Sequence, residues 1–188
     1  MQRSMGLLFS LLLLECCNSE RNSDVILEDS IKIMARPEAV FRFFEEIERH
    51  YLAWHPDHVL FRWEHGRGVK LGNVFYFEER IAGKLLKKRV TFTRVVPNEY
   101  IEFAPTFWLL RLFLPCMRFR MVPEAGGCRF IAEIHLRMGP LAQRAHRKEL
   151  DAVREHMRVE GLNIKRIVEA EAYEVLVPSG STTIAAGG

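Results

Sequence analysis

Residues 144–173 read RAHRKELDAVREHMRVEGLNIKRIVEAEAY, and this stretch decides how the rest of the chain is interpreted. Apolar residues recur in it at steps of three and four, the spacing of one face of an α-helix. They are Leu150, Val153, Met157, Ile164, Ile167 and Val168. The sequence therefore predicts a long helix towards the end of the chain, with one face buried against the core.

Glu160 falls inside this buried face. At about 100° per residue it projects between Val153 and Ile167, while His156 lies one turn earlier at the edge of the same face. A carboxylate that faces a core costs free energy unless a positive partner meets it. The His-x-x-x-Glu pair is therefore a candidate half of a metal site, and the alternative is a surface hydrogen bond or weak salt bridge. Gly161 costs about 1 kcal/mol of helix propensity, which indicates a close neighbour there.

A second acid is predicted to face the core from a strand. Along residues 74–81, Phe75, Phe77 and Glu79 share the more apolar face, so Glu79 should point inward and Glu78 outward. Two carboxylates in one cavity repel each other unless they are protonated or bound to a metal. The alternative is that both acids pair with inward arginine or tyrosine side chains.

The segment before this strand carries two more candidate ligands, His55 and His58. They are three residues apart and could share a face of a helical turn, which Pro56 would make irregular but fixed. The alternative is a pair of surface histidines that cap a loop, and the residues alone do not choose which histidine is the ligand. His50 and His65 flank the segment, and we expect both to face solvent.

Composition bounds the class of protein. The chain has 188 residues, 48% of them hydrophobic, which fits one domain with a sizeable core. A net charge of +3 is mild, and the basic run 87–89 is typical of a solvated strand end, so we expect no nucleic-acid partner. The four cysteines contain no C-x-x-C spacing, which leaves a cysteine zinc site unsupported.

The two ends of the chain are predicted to lie outside the domain. We divide the chain into an extension (1–24), a domain (25–173) and a flexible tail (174–188). Within the extension, residues 6–14 form an apolar run long enough for a signal-peptide core and too short for a membrane span. We expect a cytoplasmic protein with a poorly ordered extension, and export or membrane anchoring through residues 6–14 is the alternative.

Between these ends the order of elements is a strand (25–35), a helix that opens at Pro37, a short helix or turn (51–58), and a run of alternating segments before the long helix. The alternating segments are 59–64, 73–82, 84–96, 100–103, 117–122 and 128–138. The apolar segment 105–115 is predicted to be a short helix or a lid over a cavity mouth, or else an ordinary buried connection.

This order resembles the START-like helix-grip (SRPBCC, polyketide cyclase) superfamily over residues 25–173. The likeness rests on IKIMARPEAVF at 31–41, the Trp-His-Pro that begins at Trp54, and the hairpin around GNVF at 72–75. It implies an α+β fold in which a curved antiparallel sheet wraps around the long C-terminal helix and leaves an apolar cavity.

Within that superfamily the chain is similar to the zinc-dependent hydrolases of 2,4-diacetylphloroglucinol and phloretin. The likeness rests on YLAWHPDH at 51–58, the acid at Glu79 and HMRVEG at 156–161. Those enzymes bind zinc through a histidine, a strand glutamate and a His-x-x-x-Glu pair. The resemblance implies that His156 and Glu160 are the pair, that Glu79 is the strand acid, and that the first histidine is either His55 or His58.

We therefore predict a zinc-dependent hydrolase that cleaves a carbon–carbon bond of an acylated, phloroglucinol-type phenol. Zinc would polarise the acyl carbonyl and supply a nucleophilic water. The alternatives are a binding or carrier domain for an apolar small molecule, and a cyclase or dehydratase that uses Glu79 and His55 without metal. The expected partner is a small aromatic or polyketide-like molecule. A homodimer is considered as a possible assembly of the chain.

Overall fold

A computed structural model describes residues 24–176, in which seven strands, four α-helices and one 3-10 turn follow each other. The bounds are β1 (Asp24–Ile33), α1 (Pro37–Glu45), α2 (Ile47–Trp54), β2 (His58–His65), β3 (Val74–Ile81), β4 (Lys84–Val96), β5 (Tyr100–Pro105), the 3-10 turn (Leu110–Leu112), β6 (Cys116–Glu124), β7 (Gly127–Arg137), α3 (Pro140–Ala145) and α4 (Arg147–Leu176). Apart from Asp24, the predicted extension lies outside the described residues, as does the tail beyond residue 176.

The strands form a single curved sheet around α4. Their order across the sheet is β1-β7-β6-β5-β4-β3-β2, and every neighbouring pair is antiparallel. The core lies between the concave face of this sheet and the apolar sides of the helices, where Leu27, Phe44 and Ile164 are fully or almost fully buried. The α+β helix-grip fold predicted from the order of elements is confirmed.

Gly161 lets α4 approach the sheet closely. A Cβ atom there would lie 2.8 Å from the Asp29 carboxylate of β1, nearer than side-chain carbons normally come. The close neighbour predicted from this glycine is therefore present. It fixes the depth of the helix over the sheet at the residue that follows Glu160.

The segment between α2 and β2 is a tight turn instead of the helical turn considered above. The residue before a proline avoids helical dihedrals, so α2 ends at Trp54 and His55 is extended (φ −146°, ψ 140°). The His58 N–H donates to the His55 carbonyl at 3.1 Å, which closes a four-residue turn with Pro56 in its second position. The turn brings the two histidine rings to 5.4 Å, although they do not share a helical face.

The expectation for His50 was wrong, whereas His65 is exposed as predicted. His50 is buried and stacks on Phe43 at a centroid distance of 4.8 Å, because it lies on the side of α2 that faces α1.

None of the helices among residues 24–176 has the length and apolarity needed to cross a membrane.

Candidate metal centre

Strand register brings His58 and Glu79 together. The two residues are partners across the β2–β3 pair, and both irregularities in this ladder fall on β2, at Val59 and Glu64, so β3 keeps its alternation. Partners on one face of an antiparallel pair have adjacent side chains. Glu79 is accordingly buried on the cavity side with Phe75 and Phe77, as strand parity predicted.

Glu78 points away from the cavity. It accepts a hydrogen bond from the Tyr76 hydroxyl at 2.5 Å and lies 3.5 Å from the Lys87 ammonium. Both partners lie on the side of the sheet that faces away from α4. The two neighbouring acids of β3 therefore have separate environments.

The long helix α4 contributes two further side chains to the same point. Glu160 Oε1 lies 3.0 Å from His58 Nε2 and 3.7 Å from His156 Nε2. Glu79 Oε2 lies 3.9 Å from His58 Nε2 and 3.8 Å from His156 Nε2. The structure thus gathers His58, Glu79, His156 and Glu160 from a turn, a strand and a helix, with one ligand atom of each within 4.8 Å of the others.

The hydrogen bonds of His58 leave its Nε2 atom facing a carboxylate. Its Nδ1 atom is 2.7 Å from the Tyr51 carbonyl, which can only accept, so Nδ1 must donate its proton there. In the neutral ring Nε2 then carries a lone pair, 3.0 Å from Glu160 Oε1. Two acceptors at that distance repel each other unless a proton or a metal ion lies between them. A donor bond from the distal ring nitrogen to a backbone carbonyl is the usual arrangement for a metal-bound histidine.

His156 also has a ring nitrogen without a hydrogen-bond partner among residues 24–176. Its Nε2 atom is buried and has no hydrogen-bond partner among the described residues. Buried polar atoms are rarely left in this state, and each one calls for an explanation. Ligands at about 2.0–2.1 Å from a tetrahedral zinc ion lie about 3.4 Å apart, close to the 3.0–3.9 Å measured between the histidine and carboxylate atoms here. The donor set therefore fits a zinc ion.

Among residues 24–176, Lys88 is the one lysine or arginine in direct contact with this group. Its ammonium hydrogen-bonds Glu79, and both side chains line the cavity. Burial acts to raise the pKa of Glu79, but Lys88, His156 and His58 outweigh it and hold that pKa below its usual value. Glu79 is therefore ionised at neutral pH, the form in which a carboxylate binds a cation.

Sequence reasoning missed Lys88, because the run 87–89 was taken as a solvated strand end. The alternation of β4 held the signal, since Lys88 shares its face with the buried Val90 and Phe92. The interpretation is correct for Lys87 and Arg89, which are exposed. Lysine side chains are seldom turned towards a core. A run of three cations therefore predicts a solvated segment more strongly than strand alternation predicts that one of the three points inward.

His55 lies behind the four-residue group. Its ring is 3.8 Å from that of His156, and its Nδ1 atom accepts a hydrogen bond from the Asp57 N–H at 3.0 Å. Burial and the neighbouring His156 lower the pKa of His55, which keeps the ring neutral. Of the two histidines that the sequence left open, the structure places His58 within the group, and His55 with Asp57 and His156 in an adjoining one.

A cavity of about 190 Å³ adjoins the group. Glu79, Lys88, His156 and Glu160 line it, and most of the remaining wall is apolar, including Trp54, Phe77, Phe103, Leu114, Met117 and Phe119. The indole N–H of Trp54 is buried without a hydrogen-bond partner among the described residues. The cavity therefore combines an apolar wall with a cluster of histidine, glutamate and lysine side chains.

Comparisons with known proteins establish the fold. No family model and no curated protein matches the chain. Among solved structures, Ara h 8.0201 is 13% identical with a TM-score of 0.58, covering 78% of this chain and 99% of that one. Major latex-like protein 151 from Panax ginseng is 14% identical with a TM-score of 0.58, covering 80% and 98%. At such identities the likeness concerns the helix-grip fold alone.

A third similar structure is the di-domain ARO/CYC protein BexL from the BE-7585A biosynthetic pathway. It is 13% identical with a TM-score of 0.59, and the match covers 80% of this chain and 50% of BexL. The START-like resemblance is thus confirmed as a fold, whereas the narrower likeness to zinc-dependent phloroglucinol hydrolases gains no support.

Proposed function

We propose that His58, Glu79, His156 and Glu160 bind one divalent metal ion, and that the protein is a hydrolase acting on a small aromatic ketone held in the adjoining cavity. The observation that carries the proposal is the pair of Nε2 atoms. One faces a carboxylate with its lone pair, and the other is buried without a partner. Two imidazoles with two carboxylates form a donor set that suits zinc.

The chain's own residues would bind and orient the substrate. An apolar cavity of about 150 Å³ can hold benzene, so about 190 Å³ suits a single ring with small substituents better than a polycyclic chain. Trp54, Phe77 and Phe103 line the cavity and would pack against an aromatic ring. The apolar wall would exclude bulk water, which strengthens electrostatic interactions inside.

The position of the four ligands matches this role. Glu79, His156 and Glu160 line the cavity, whereas His58 does not, so the cluster has one side towards a bound molecule. With four protein ligands, water or a carbonyl would have to take a fifth coordination position, and a zinc ion that accepts it would polarise the carbonyl and lower the pKa of the water. Lys88, beside Glu79, would add positive charge on the same wall.

Metal analysis with activity tests the proposal. We expect purified protein to carry about one zinc ion per chain, or to take it up after chelation, because the ligand atoms otherwise lack partners. Zinc-loaded protein should release a carboxylic acid from an acylphloroglucinol, and chelated protein should not. Folded protein that takes up no zinc would overturn the metal site. Zinc binding without cleavage would retain the site and reject the hydrolase.

A metal-free binding protein or cyclase is the second candidate, favoured by the ARO/CYC protein among the similar structures. Lys88 supports it, because an ammonium that already neutralises Glu79 reduces the need for a metal ion. In that case His58 would be protonated and would donate to Glu160. Calorimetry with an apolar aromatic ligand in the presence of a chelator separates the candidates, since a metal-free cyclase or carrier binds its ligand undiminished.

A further inference from the structure

Residues 106–113 connect β5 to β6 and expose a continuous apolar surface, which we call the apolar loop. The exposed fractions of its large side chains are 59% for Phe107, 67% for Trp108, 43% for Leu109 and Leu110, 47% for Leu112 and 62% for Phe113. Single exposed apolar residues are normal, but six within seven positions are not. An ordinary buried connection, one of the two predictions for this segment, is therefore wrong.

The second half of the apolar loop is held by its own backbone hydrogen bonds. The N–H groups of Leu110, Arg111 and Leu112 donate three residues back at 3.1–3.2 Å, and that of Phe113 donates to the Leu110 carbonyl. Arg111 folds back so that its Nε atom donates to the Pro105 carbonyl at 2.5 Å. These bonds give the loop a fixed turn that presents its apolar side chains outward.

The surface extends onto α3. The Arg137 N–H donates to the Phe113 carbonyl at 2.8 Å, which joins the apolar loop to the end of β7 directly before α3. Leu141, the second residue of α3, is 86% exposed. The sequence from 138 to 148 contains three cations, of which Arg147 pairs with Asp151 at 3.9 Å, whereas no ion pair joins Arg144 or Lys148 to an acid of the described residues. An exposed apolar surface thus has cations on its flank.

The described part of the chain begins at the same place. Asp24, its first residue, pairs with Arg137 across β1 and β7, and the Arg137 N–H donates to Phe113 of the apolar loop. Asp24 Oδ1 also lies 3.9 Å from the Arg137 guanidinium, so the charge of this acid is paired.

We propose that the apolar loop, together with Leu141, docks on the surface of an anionic lipid bilayer. Tryptophan and phenylalanine side chains favour the interface between lipid head groups and acyl chains. Arginine and lysine at the flank of such a surface are attracted to anionic lipids. The apolar loop contributes Arg111 and no acid, so its charge complements a negative surface.

A second copy of the chain fits this surface less well. An isologous dimer would place the same patch on both sides of the interface, so cations around Arg111 and Arg144 would face their own copies. Like charges across an interface are unfavourable. The proposal is independent of the metal site, since no residue of the apolar loop belongs to the four-residue cluster.

Tryptophan quenching tests the depth of insertion directly. The full chain is mixed with phosphatidylglycerol–phosphatidylcholine vesicles whose acyl chains are brominated, and the Trp108→Phe variant shows which part of the signal comes from Trp108. We expect quenching in the wild type that this variant lacks, because Trp54 is buried and Trp63 packs partly buried against the core. Absence of any Trp108-dependent quenching overturns the proposal, whatever the binding of the rest of the chain.

Co-sedimentation with the same lipids, unbrominated, measures the contribution of the surface. Trp108→Ser with Phe113→Ser should lower partitioning about tenfold, and vesicles of phosphatidylcholine alone should bind the wild type more weakly. The matched control is Met34→Ser, because Met34 is 58% exposed and lies beyond the opposite end of β1. Its partitioning should stay within about twofold of the wild type, as expected for a residue outside the contact.

Two results would show that the surface does not bind a bilayer, and either would overturn the proposal. One is equal partitioning of the double variant and the wild type. The other is a wild-type mass in light scattering twice that of the double variant, which would identify a second copy as the partner. Circular dichroism verifies that each variant is folded, and the quenching comparison does not depend on the double variant.

Discussion

The two faces of the sheet each carry a cluster of histidine and glutamate, and the acids of the two clusters have different partners. On the face away from α4, Arg120 lies 2.6 Å from Glu133, and Arg118 lies 2.8 Å from Glu102. His135 is 2.9 Å from Glu133. Each of these acids therefore has an arginine of its own, and protein side chains balance the charges of this outer network.

The inner cluster is completed in another way. Among the described residues, Lys88 is the one lysine or arginine that pairs with its acids, and it contacts Glu79. Glu160 meets the Nε2 atoms of His58 and His156 instead of a guanidinium. Both clusters contain histidine and glutamate, but no arginine pairs with the acids of the inner one among residues 24–176, and the metal ion proposed above would bind there.

The difference indicates how a ligand site can be recognised in a protein of unestablished function. Residue identity does not separate the clusters, since histidine and glutamate occur in both. The partners of the carboxylates do separate them, because each outer acid pairs with an arginine, although Arg120 Nε itself is buried without a partner among the described residues, whereas Glu160 meets two imidazoles. The following predictions test this distinction by changing one cluster at a time.

The largest effect is expected from Glu79→Ala compared with Glu133→Gln. Removing Glu79 takes one ligand atom from the inner cluster, so zinc affinity should fall about a hundredfold or more. Glu133→Gln changes the outer network and should leave zinc affinity unchanged. Calorimetric titration of zinc into both chelated variants gives the two constants. Equal losses would mean that the two clusters do not differ as described.

Glu160→Gln should have the next largest effect. The amide keeps the shape of the side chain and one carbonyl oxygen but loses the charge, so zinc affinity should fall roughly tenfold. The fold should persist, because the neutral amide nitrogen can donate to the bare Nε2 of His58. Unchanged zinc affinity together with a lower melting temperature would instead identify Glu160 as a structural partner of a protonated His58.

Much of this contrast could be predicted from the sequence. Helical spacing placed Glu160 and His156 on the inner side of α4, and strand alternation placed Glu79 inward, because both patterns have a fixed period. The choice between His55 and His58 could not be made in this way. It depends on a turn around Pro56 and on the β2–β3 register, which pairs His58 with Glu79 across the sheet. Such contacts arise between distant parts of the chain.

The exposure of the apolar loop and the burial of His50 could not be predicted from the sequence for a second reason. Apolar residues 107–113 lack any period, so the sequence did not show whether they lie outside or inside. His50 was assigned to solvent by its residue type, yet the aromatic ring of Phe43 covers it. Type and local spacing do not reveal which surface a neighbouring element covers, and that is decided only when the layers pack.

A smaller effect is expected for acid stability in the outer network. Burial acts to raise the pKa of Glu133, but hydrogen bonds from His135 and Arg120 outweigh it and hold that pKa below its usual value. A carboxyl with a depressed pKa stabilises the fold above its unfolded pKa, and this contribution is lost as the pH falls through the folded value. Glu133→Gln should therefore lower the unfolding free energy at pH 7 by about 1 kcal/mol and flatten its decline below about pH 4.5.

Urea unfolding at a series of pH values measures this effect. The wild type and Glu133→Gln should converge as the pH falls, because protonation removes from the wild type the same charge that the substitution removes. The amide variant keeps a carbonyl that can accept from Arg120, which limits the loss to the charge. Parallel curves from pH 7 to pH 3 would show that Glu133 contributes no charge-dependent stability.

The smallest effect is expected from Glu78→Ala, the neighbour of Glu79 on β3. Its carboxylate accepts from the Tyr76 hydroxyl and lies near Lys87 on the side away from the cavity, so it cannot reach the inner cluster without a register shift. Zinc content should equal that of the wild type, and the melting temperature should stay within about 2 °C. Loss of zinc in Glu78→Ala with retention in Glu79→Ala would mean that β3 presents its other face to the cavity. That result would remove the inner cluster from the comparison, because the cluster depends on the inward orientation of Glu79.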